Sequence, residues 1–259
     1  MQRIRNIFIL LMIVLAAAPA AQISPAPAAA AEAITLTTPP NGWEPFINAP
    51  DRQSGHGGIL VDVFRAIVEQ LGYDCRLVSN PEKQGLMMVR QGRVDAAPKA
   101  EEWVSGPDRY LWTDPIVTST DTVVSRTTTP VAYAVPDDLK GRTVGVVTGF
   151  KYPSLTPLID SGAVRAVRAT TVEELLILLM QGRIDCAVAN GPVAKWVIKR
   201  RGDINPENVV FSRKPLDTAP LRFAFTGGDK WKPFIKRFNA ELAAMRQDGR
   251  MAAILNHYQ

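Results

Sequence analysis

The chain has 259 residues and a formal net charge of +5, with 46% hydrophobic and 21% charged residues. This balance is typical of globular proteins and excludes an intrinsically disordered or collagen-like chain. The longest basic run, residues 199–201, is typical of a solvated helix end, so we predict no nucleic-acid partner. Two cysteines and two histidines argue against a disulfide framework and a zinc site, and we predict no metal or cofactor.

The first 33 residues are predicted to be a signal peptide and a small-residue linker. Arg3 and Arg5 precede an uncharged apolar run at residues 7–18, and small residues follow it. The run is shorter than the ~20 residues that a membrane-spanning helix needs, and the pattern is typical of a secretory leader. No cysteine follows the run, so we expect no lipid anchor. The sequence therefore predicts an exported, soluble, periplasmic protein.

Strands and helices alternate in the first third of the remaining chain. Asn80 and Pro81 supply an N-cap and a first-turn proline for the second of the two helices, and Gly92 ends it. The order strand–helix–strand–helix–strand predicts a parallel sheet. The predicted elements are a strand at 34–38, a helix at 60–71, a strand at 76–78, a helix ending at 92 and a strand opening at 94.

A similar series begins near Arg126. Thr170 and Thr171, each followed by a glutamate three residues later, provide overlapping capping boxes for its long helix. The predicted elements are a strand at 143–147, a short helix near 155, a strand at 164–167, a helix at 172–181, a strand at 184–189, a strand at 221–225 and an amphipathic helix at 231–246.

An internal repeat connects the two series. Residues 86–100 and 176–190 are offset by 90 positions and share a Gln-Gly-Arg-x-Asp motif at a helix-to-strand junction. Such self-similarity predicts two similar α/β lobes. Asp95 and Asp185 are the repeated acids, and their symmetric placement indicates structural turn roles rather than catalysis.

Several short motifs follow one another in order across residues 34–259. They are Glu44-Pro45-Phe46, the run from Gly58 to Phe64, Gln91-Gly92-Arg93-Val94-Asp95, Pro107-Asp108-Arg109, Asp138-Leu139-Lys140-Gly141, Gln181-Gly182-Arg183-Ile184-Asp185 and Asp248-Gly249-Arg250. Together they resemble the bacterial extracellular solute-binding proteins of family 3, the polar amino acid type of periplasmic binding protein.

The resemblance implies a type II periplasmic binding protein fold, with two α/β lobes joined by two hinge strands. Lobe 1 is expected at residues 34–125 plus 221–259, and lobe 2 at residues 126–220. The ligand is expected in the cleft between them, at the carboxyl ends of strands and at helix N-termini.

The resemblance also implies the ligand-binding positions. Arg109 matches the arginine that binds the ligand's carboxylate, although a surface arginine paired with Asp108 or Asp114 is an alternative. Lys99, at a strand end, adds positive charge to the cleft or is simply exposed. The full set of candidate binding residues is Trp43, Phe46, Lys99, Arg109, Thr148, Gly149, Phe150 and Asn190.

The aromatic and loop positions have roles of their own. Trp43 and Phe46 lie where the family has an aromatic wall, with core packing as the alternative for Phe46. Thr148, Gly149 and Phe150 match a loop whose backbone caps the ligand.

Two positions depart from the family pattern. Phe150 stands where serine or threonine is usual, and Asn190 stands where many members have an aspartate for the ligand's ammonium group. These departures weigh against a standard L-amino acid as ligand.

The predicted function is capture of a small polar, carboxylate-bearing, amino acid-like solute for an inner-membrane ABC transporter permease, by a monomer that is not an enzyme. A dehydratase similar to cyclohexadienyl dehydratases is an alternative, with Glu101 or Glu102 as general acid. A third possibility is an extracellular sensor or partner-docking protein. Cys75 and Cys186 are assigned to different lobes and are predicted to be unbridged.

Overall fold

The computed structural model describes residues 31–49 and 56–258. The predicted signal peptide lies almost entirely outside the described residues, and Ala33, the last residue of the predicted linker, already begins the first strand. Among the described residues, no helix combines the length and the apolar character that crossing a membrane would require.

Ten strands and seven helices are found in the described part of the chain. The strands are β1 (Ala33–Thr38), β2 (Asp74–Ser79), β3 (Ala96–Ala100), β4 (Tyr110–Trp112), β5 (Val117–Arg126), β6 (Thr143–Val147), β7 (Arg165–Ala169), β8 (Cys186–Asn190), β9 (Val209–Phe211) and β10 (Asp217–Thr226). The helices are α1 (Ile59–Gln70), α2 (Glu82–Arg90), α3 (Thr156–Asp160), α4 (Val172–Met180), α5 (Gly191–Arg201), α6 (Lys232–Gln247) and α7 (Arg250–His257).

The strands form one mixed sheet in the order β2-β1-β3-β10-β5-β8-β6-β7, with β4 beside β10 and β9 beside β5. β1 is parallel to β2 and β3, and β6 is parallel to β7 and β8. We call β1–β4 with α1, α2, α6 and α7 the first half, and β6–β9 with α3–α5 the second half. The predicted α/β class with parallel strands is confirmed.

Two ten-residue strands, β5 and β10, connect the halves. β10 pairs with β3 and β4 through its second part and with β5 through its first part, and β5 continues into pairing with β8 and β9. Asp121 is therefore paired on both sides, with Asp217 across β10 and with Asn190 across β8. The exact lobe boundaries, 34–125 plus 221–259 and 126–220, stay a prediction.

The repeat occupies equivalent places in the two halves. The Asp95 Oδ2 atom accepts a hydrogen bond from the Thr35 backbone N at 2.8 Å, and Asp185 Oδ2 accepts one from the Thr143 N at 2.7 Å. Each aspartate thus ties its strand to the start of a parallel neighbour, which is the structural role expected from the sequence. The strands after these aspartates begin at Ala96 and Cys186, two residues later than predicted, because the aspartates still belong to the preceding turns.

The core explains why the predicted helices form. In α1, the residues at helical spacing face the sheet and are buried, and Phe64 packs against Phe223 and Phe238 with ring centroids 4.7 and 5.9 Å apart. The apolar cluster that includes α1 continues into α4 and α5. A second cluster lies within the second half around Val144, Val146 and Leu155.

Candidate functional site

The candidate site lies where parallel strands of both halves end. β1 leads into the loop with Trp43, and β3 leads into a 3₁₀ turn that ends at Trp103. β6 leads into residues 148–151. The Lys151 Nζ atom donates a 3.4 Å hydrogen bond to the backbone oxygen of Trp103, so loops from the two halves meet here.

Aromatic side chains form the first-half wall of this edge. The Trp43 ring lies 6.3 Å from the Trp103 ring, and the buried Trp43 Nε1 atom has no hydrogen-bond partner among the described residues. Phe46 lies 4.6 Å from Trp43 but is only 1% exposed, and it belongs to the apolar core. Its placement therefore matches the core-packing alternative. Trp103, which sequence reasoning did not select, takes its place in the wall.

Lys99 is already engaged within the first half. Its ammonium group forms an ion pair with Glu82 at the start of α2, and it lies 5.5 Å from the centroid of the Trp103 ring. On the neighbouring strand, Arg222 is directly opposite Lys99 and donates from Nη1 to the Thr113 oxygen at 2.9 Å. The charge of Lys99 is therefore largely compensated, although the side chain remains beside the aromatic wall.

Arg109 has a free guanidinium group. It ends a 3₁₀ turn after Gly106, whose φ of 70° lies in the left-handed region that favours glycine. The side chain is exposed, and it forms no ion pair with Asp108, Asp114 or any other described residue. The surface ion pair that was the alternative is therefore not formed. β4 pairs Tyr110 with Thr226, next to the Phe225–Ala96 pair at the amino end of β3. Arg109 thus lies at the opposite edge of the sheet from Trp103, and the structure does not bring it to the candidate site.

The loop after β6 presents free backbone amides at Gly149 and Lys151 among the described residues. Thr148 N donates to the Ala169 oxygen at 2.8 Å and Phe150 N donates to the Val147 oxygen at 3.3 Å. Gly149 adopts a φ of 84°, and its N–H makes no hydrogen bond in the described part of the chain. Phe150 is 46% exposed, which is unusual for so large an apolar side chain.

Asn190 is part of the protein's own hydrogen-bond network. It is 3% exposed, its Nδ2 donates to Ser119 Oγ at 2.8 Å, and its Oδ1 accepts from Val193 N at 3.3 Å. Asn190 therefore caps α5. The sequence Asn190-Gly191-Pro192 carried this signal, because asparagine is a preferred N-cap and proline is favoured in the first turn.

Asp121 is a functional candidate that sequence reasoning missed. Burial, followed by the charge of Asp217, raises the pKa of its carboxyl to about 6, and a hydrogen bond from Asn190 opposes this rise. Asp217 accepts a 2.6 Å hydrogen bond from Ser154 Oγ. Nothing in the Ser- and Thr-rich run around Asp121 indicates this environment, because its acidic neighbour lies 96 residues away in the chain.

The alternative acid groups are open to solvent. Glu101 is 41% exposed at its side chain, 3.9 Å from Arg222 Nε, and Glu102 is exposed. Neither carboxyl group is enclosed by surrounding side chains.

Metal-binding clusters are not found in the residues that the structure describes. His56 and His257, distant in sequence, stack with ring centroids 3.9 Å apart, without a third ligand. Cys75 and Cys186 are both free, and they lie on β2 and β8 in different halves, which confirms the prediction that they are unbridged.

A family model, described as bacterial extracellular solute-binding proteins, family 3, matches residues 35–259. No curated protein matches the sequence. Among solved structures, substrate-binding domain 2 of GlnP from Lactococcus lactis, in an open conformation, is similar with a TM-score of 0.67 and 22% identity, covering 88% of this chain and 95% of that one.

Two further structures show how widely this fold is used. A histidine kinase sensor domain with similarity to periplasmic binding proteins has a TM-score of 0.66 and 22% identity, covering 87% of this chain and 95% of that one. An ancestral amino acid-binding protein, described as a precursor of cyclohexadienyl dehydratase, has a TM-score of 0.64 and 18% identity, covering 87% and 94%. At these identities the likeness concerns the fold, and it confirms the predicted type II periplasmic binding protein architecture.

Proposed function

Because the chain belongs to the bacterial extracellular solute-binding proteins, family 3, we propose that it captures a small, carboxylate-bearing, amino acid-like solute in the periplasm for an inner-membrane ABC transporter permease. The observation that carries the proposal is the meeting of loops from both halves at the carboxyl ends of their strands, between Lys151 and Trp103. Ligands of open α/β sheets bind at this edge.

The groups at this edge suit a carboxylate with an apolar part. The Gly149 N–H offers a donor to a carboxylate. Arg109 lies at the other edge of the sheet, so we leave it out of this group of donors. Trp43, Trp103 and Phe150 offer apolar surface. Asn190 is occupied by Ser119 and by its own helix, so we assign it to the support of the site rather than to direct contact.

Capture would proceed by movement of the two halves about β5 and β10. Both strands run from one half into the other, so rotation of their backbones changes the distance between the loops that carry Trp103 and Lys151. Solute that contacts both loops binds the closed arrangement more tightly and shifts the population toward it. We propose that the working unit is a monomer and that binding requires no covalent step.

The test is a thermal-shift screen of residues 31–259, which include the whole of β1, against amino acids, dicarboxylates and other small carboxylates, followed by calorimetry of each hit. A ligand of the folded state raises the melting temperature; at 100 times its Kd it contributes about 2.7 kcal/mol. Mass spectrometry of the recovered solute separates binding from catalysis. Unaltered solute supports a binding protein, whereas a dehydrated product would identify an enzyme. Absence of any hit across the carboxylates would contradict the proposal.

A further inference from the structure

The two halves are also joined away from β5 and β10. Glu44, in the loop after β1, accepts two hydrogen bonds at its Oε2 atom from α5 of the second half. Trp196 Nε1 donates at 3.1 Å and Arg200 Nη1 donates at 2.7 Å. The two donors are four residues apart, so they stand one above the other on the same face of α5.

The contact is continuous with the packing of the first half. The Trp196 ring lies 6.2 Å from the ring of Tyr258. The Tyr258 hydroxyl donates to Asp62 Oδ2 at 2.6 Å and accepts from Gly58 N at 2.8 Å, which anchors it at the start of α1. The second half is therefore held by two parts of the first half, the loop after β1 and the C-terminal residues.

The two side chains of this ion pair differ in their exposure to solvent. The Glu44 side chain is 15% exposed, whereas Arg200 is 47% exposed. The Glu44 carboxylate is held in place because it is nearly buried and accepts two hydrogen bonds. The Arg200 side chain is more exposed and can move into solvent. Such a contact can form and break as the halves move, and its loss is compensated in part by water.

We propose that Glu44, Trp196 and Arg200 form a positioning strap that holds the two halves in the arrangement seen here and places the neighbouring Trp43 at the solute site. The strap acts on solute affinity through the arrangement of the halves, without contact between Arg200 and solute. The effect of the strap on solute affinity rests on the proposed function, whereas its effect on the arrangement of the two halves does not.

The chain offers a matched control one residue away. Arg201 lies on the same helix, but it pairs with Glu173 at 2.5 Å and with Asp203 at 2.6 Å, both within the second half. Arg200→Ala and Arg201→Ala remove the same charge from the same helix, and only the first removes a bond between the halves. Arg200→Lys keeps a cation within reach of Glu44 and serves as the rescue variant.

The first measurement is calorimetry with a solute found in the screen. Exposed ion pairs contribute roughly 0.2–1 kcal/mol, so we expect Arg200→Ala to weaken solute binding by up to about 5-fold. Arg201→Ala should leave the Kd unchanged even though it loses two ion pairs, and Arg200→Lys should restore much of the loss. A merely structural role would lower the melting temperature of both alanine variants and would not separate their Kd values.

The second measurement needs no solute. Small-angle X-ray scattering should give a larger radius of gyration for the double variant Trp196→Phe and Arg200→Ala, which removes the two hydrogen bonds from α5 described above, than for wild type or Arg201→Ala. Equal scattering from all three proteins would overturn the strap, as would equal Kd values for the two arginine variants. If wild type binds none of the solutes, the proposed function fails, and scattering alone decides the strap.

Discussion

Replacing Asp121 by asparagine should stabilise the protein at neutral pH. Asp121 lies where β5 changes partners, with Asp217 opposite on one side and Asn190 on the other. Among the described residues no lysine, arginine or histidine forms an ion pair with it. Asparagine keeps the size and an oxygen that accepts from Asn190, and it removes the charge that burial and Asp217 disfavour.

The magnitude follows from the pKa. The carboxyl titrates at about 6 in the folded protein against the ordinary 3.8, and each pKa unit corresponds to about 1.4 kcal/mol, so the ionised group costs about 3 kcal/mol. The folded state holds more protons than the unfolded state between pH 4 and 6. The contribution of Asp121 to the free energy of unfolding therefore falls as pH rises through that window and is constant above it.

Urea denaturation of residues 31–259 at pH 4 and pH 7.5 measures this difference. We expect the gain of Asp121→Asn over wild type to be near zero at pH 4 and about 3 kcal/mol at pH 7.5. Asp160→Asn is the matched control, because Asp160 is exposed at the end of α3. An Asp121→Asn variant that is no more stable than wild type at pH 7.5 would refute the reasoning.

Two further predictions concern buried groups. Asn190→Ala removes the cap of α5 and the hydrogen bond to Ser119, so it should lower the free energy of unfolding by about 1–2 kcal/mol. Asn80→Ala, before α2, is the control and should lower it less. A loss for Asn190→Ala that is smaller than the error of chemical denaturation would contradict this prediction. Burial raises the pKa of the Cys186 thiol to about 12. At pH 8, iodoacetamide should therefore modify Cys75 before Cys186 in the folded protein and both cysteines equally in urea, as followed by mass spectrometry. Early modification of Cys186 in the folded protein would contradict this, because it would show that β8 is accessible.

Local patterns in the sequence predicted local elements well. The helices α1, α2 and α4 appear where apolar spacing places them, because each buries one face against the sheet. Thr171 caps α4 as predicted. The predicted Asn80 cap of α2 is wrong, because Pro81 takes the N-cap position and the Asn80 side chain donates to Thr37 instead. The repeat predicted equivalent halves, and Asp95 and Asp185 make equivalent hydrogen bonds. These features depend on residues close together in the chain.

The connecting strands were the main omission. β5 was not predicted, and only residues 221–225 of β10 were predicted. β5 contains Thr, Ser and Asp rather than an alternating apolar pattern, because its neighbours β8 and β10 cover its edges and polar groups from other elements satisfy its side chains. Such pairing joins residues about 100 positions apart, and no short window of sequence reports it.

The candidate site was predicted in part. The resemblance located the strand ends, and the structure brings Trp43 and the loop at Thr148 to the same edge of the sheet. It also places Trp103 there and assigns Asn190 to a helix cap. Whether Phe46 or Trp103 lines the site, and whether Asn190 already has hydrogen-bond partners within the protein, depends on tertiary packing.

The central claim is that this edge of the sheet binds a carboxylate-bearing solute between Trp103 and the loop after β6. Calorimetry of wild type, Trp103→Ala and Arg109→Ala with a solute from the screen tests it most directly. Arg109 is an exposed arginine directly before β4, at the opposite edge of the sheet from Trp103. Truncating an aromatic side chain that dominates a binding site costs about 2 kcal/mol or more, so Trp103→Ala should weaken binding at least about 30-fold. Arg109→Ala should bind as wild type does. Equal affinities for wild type and Trp103→Ala, or a loss confined to Arg109→Ala, would contradict the account.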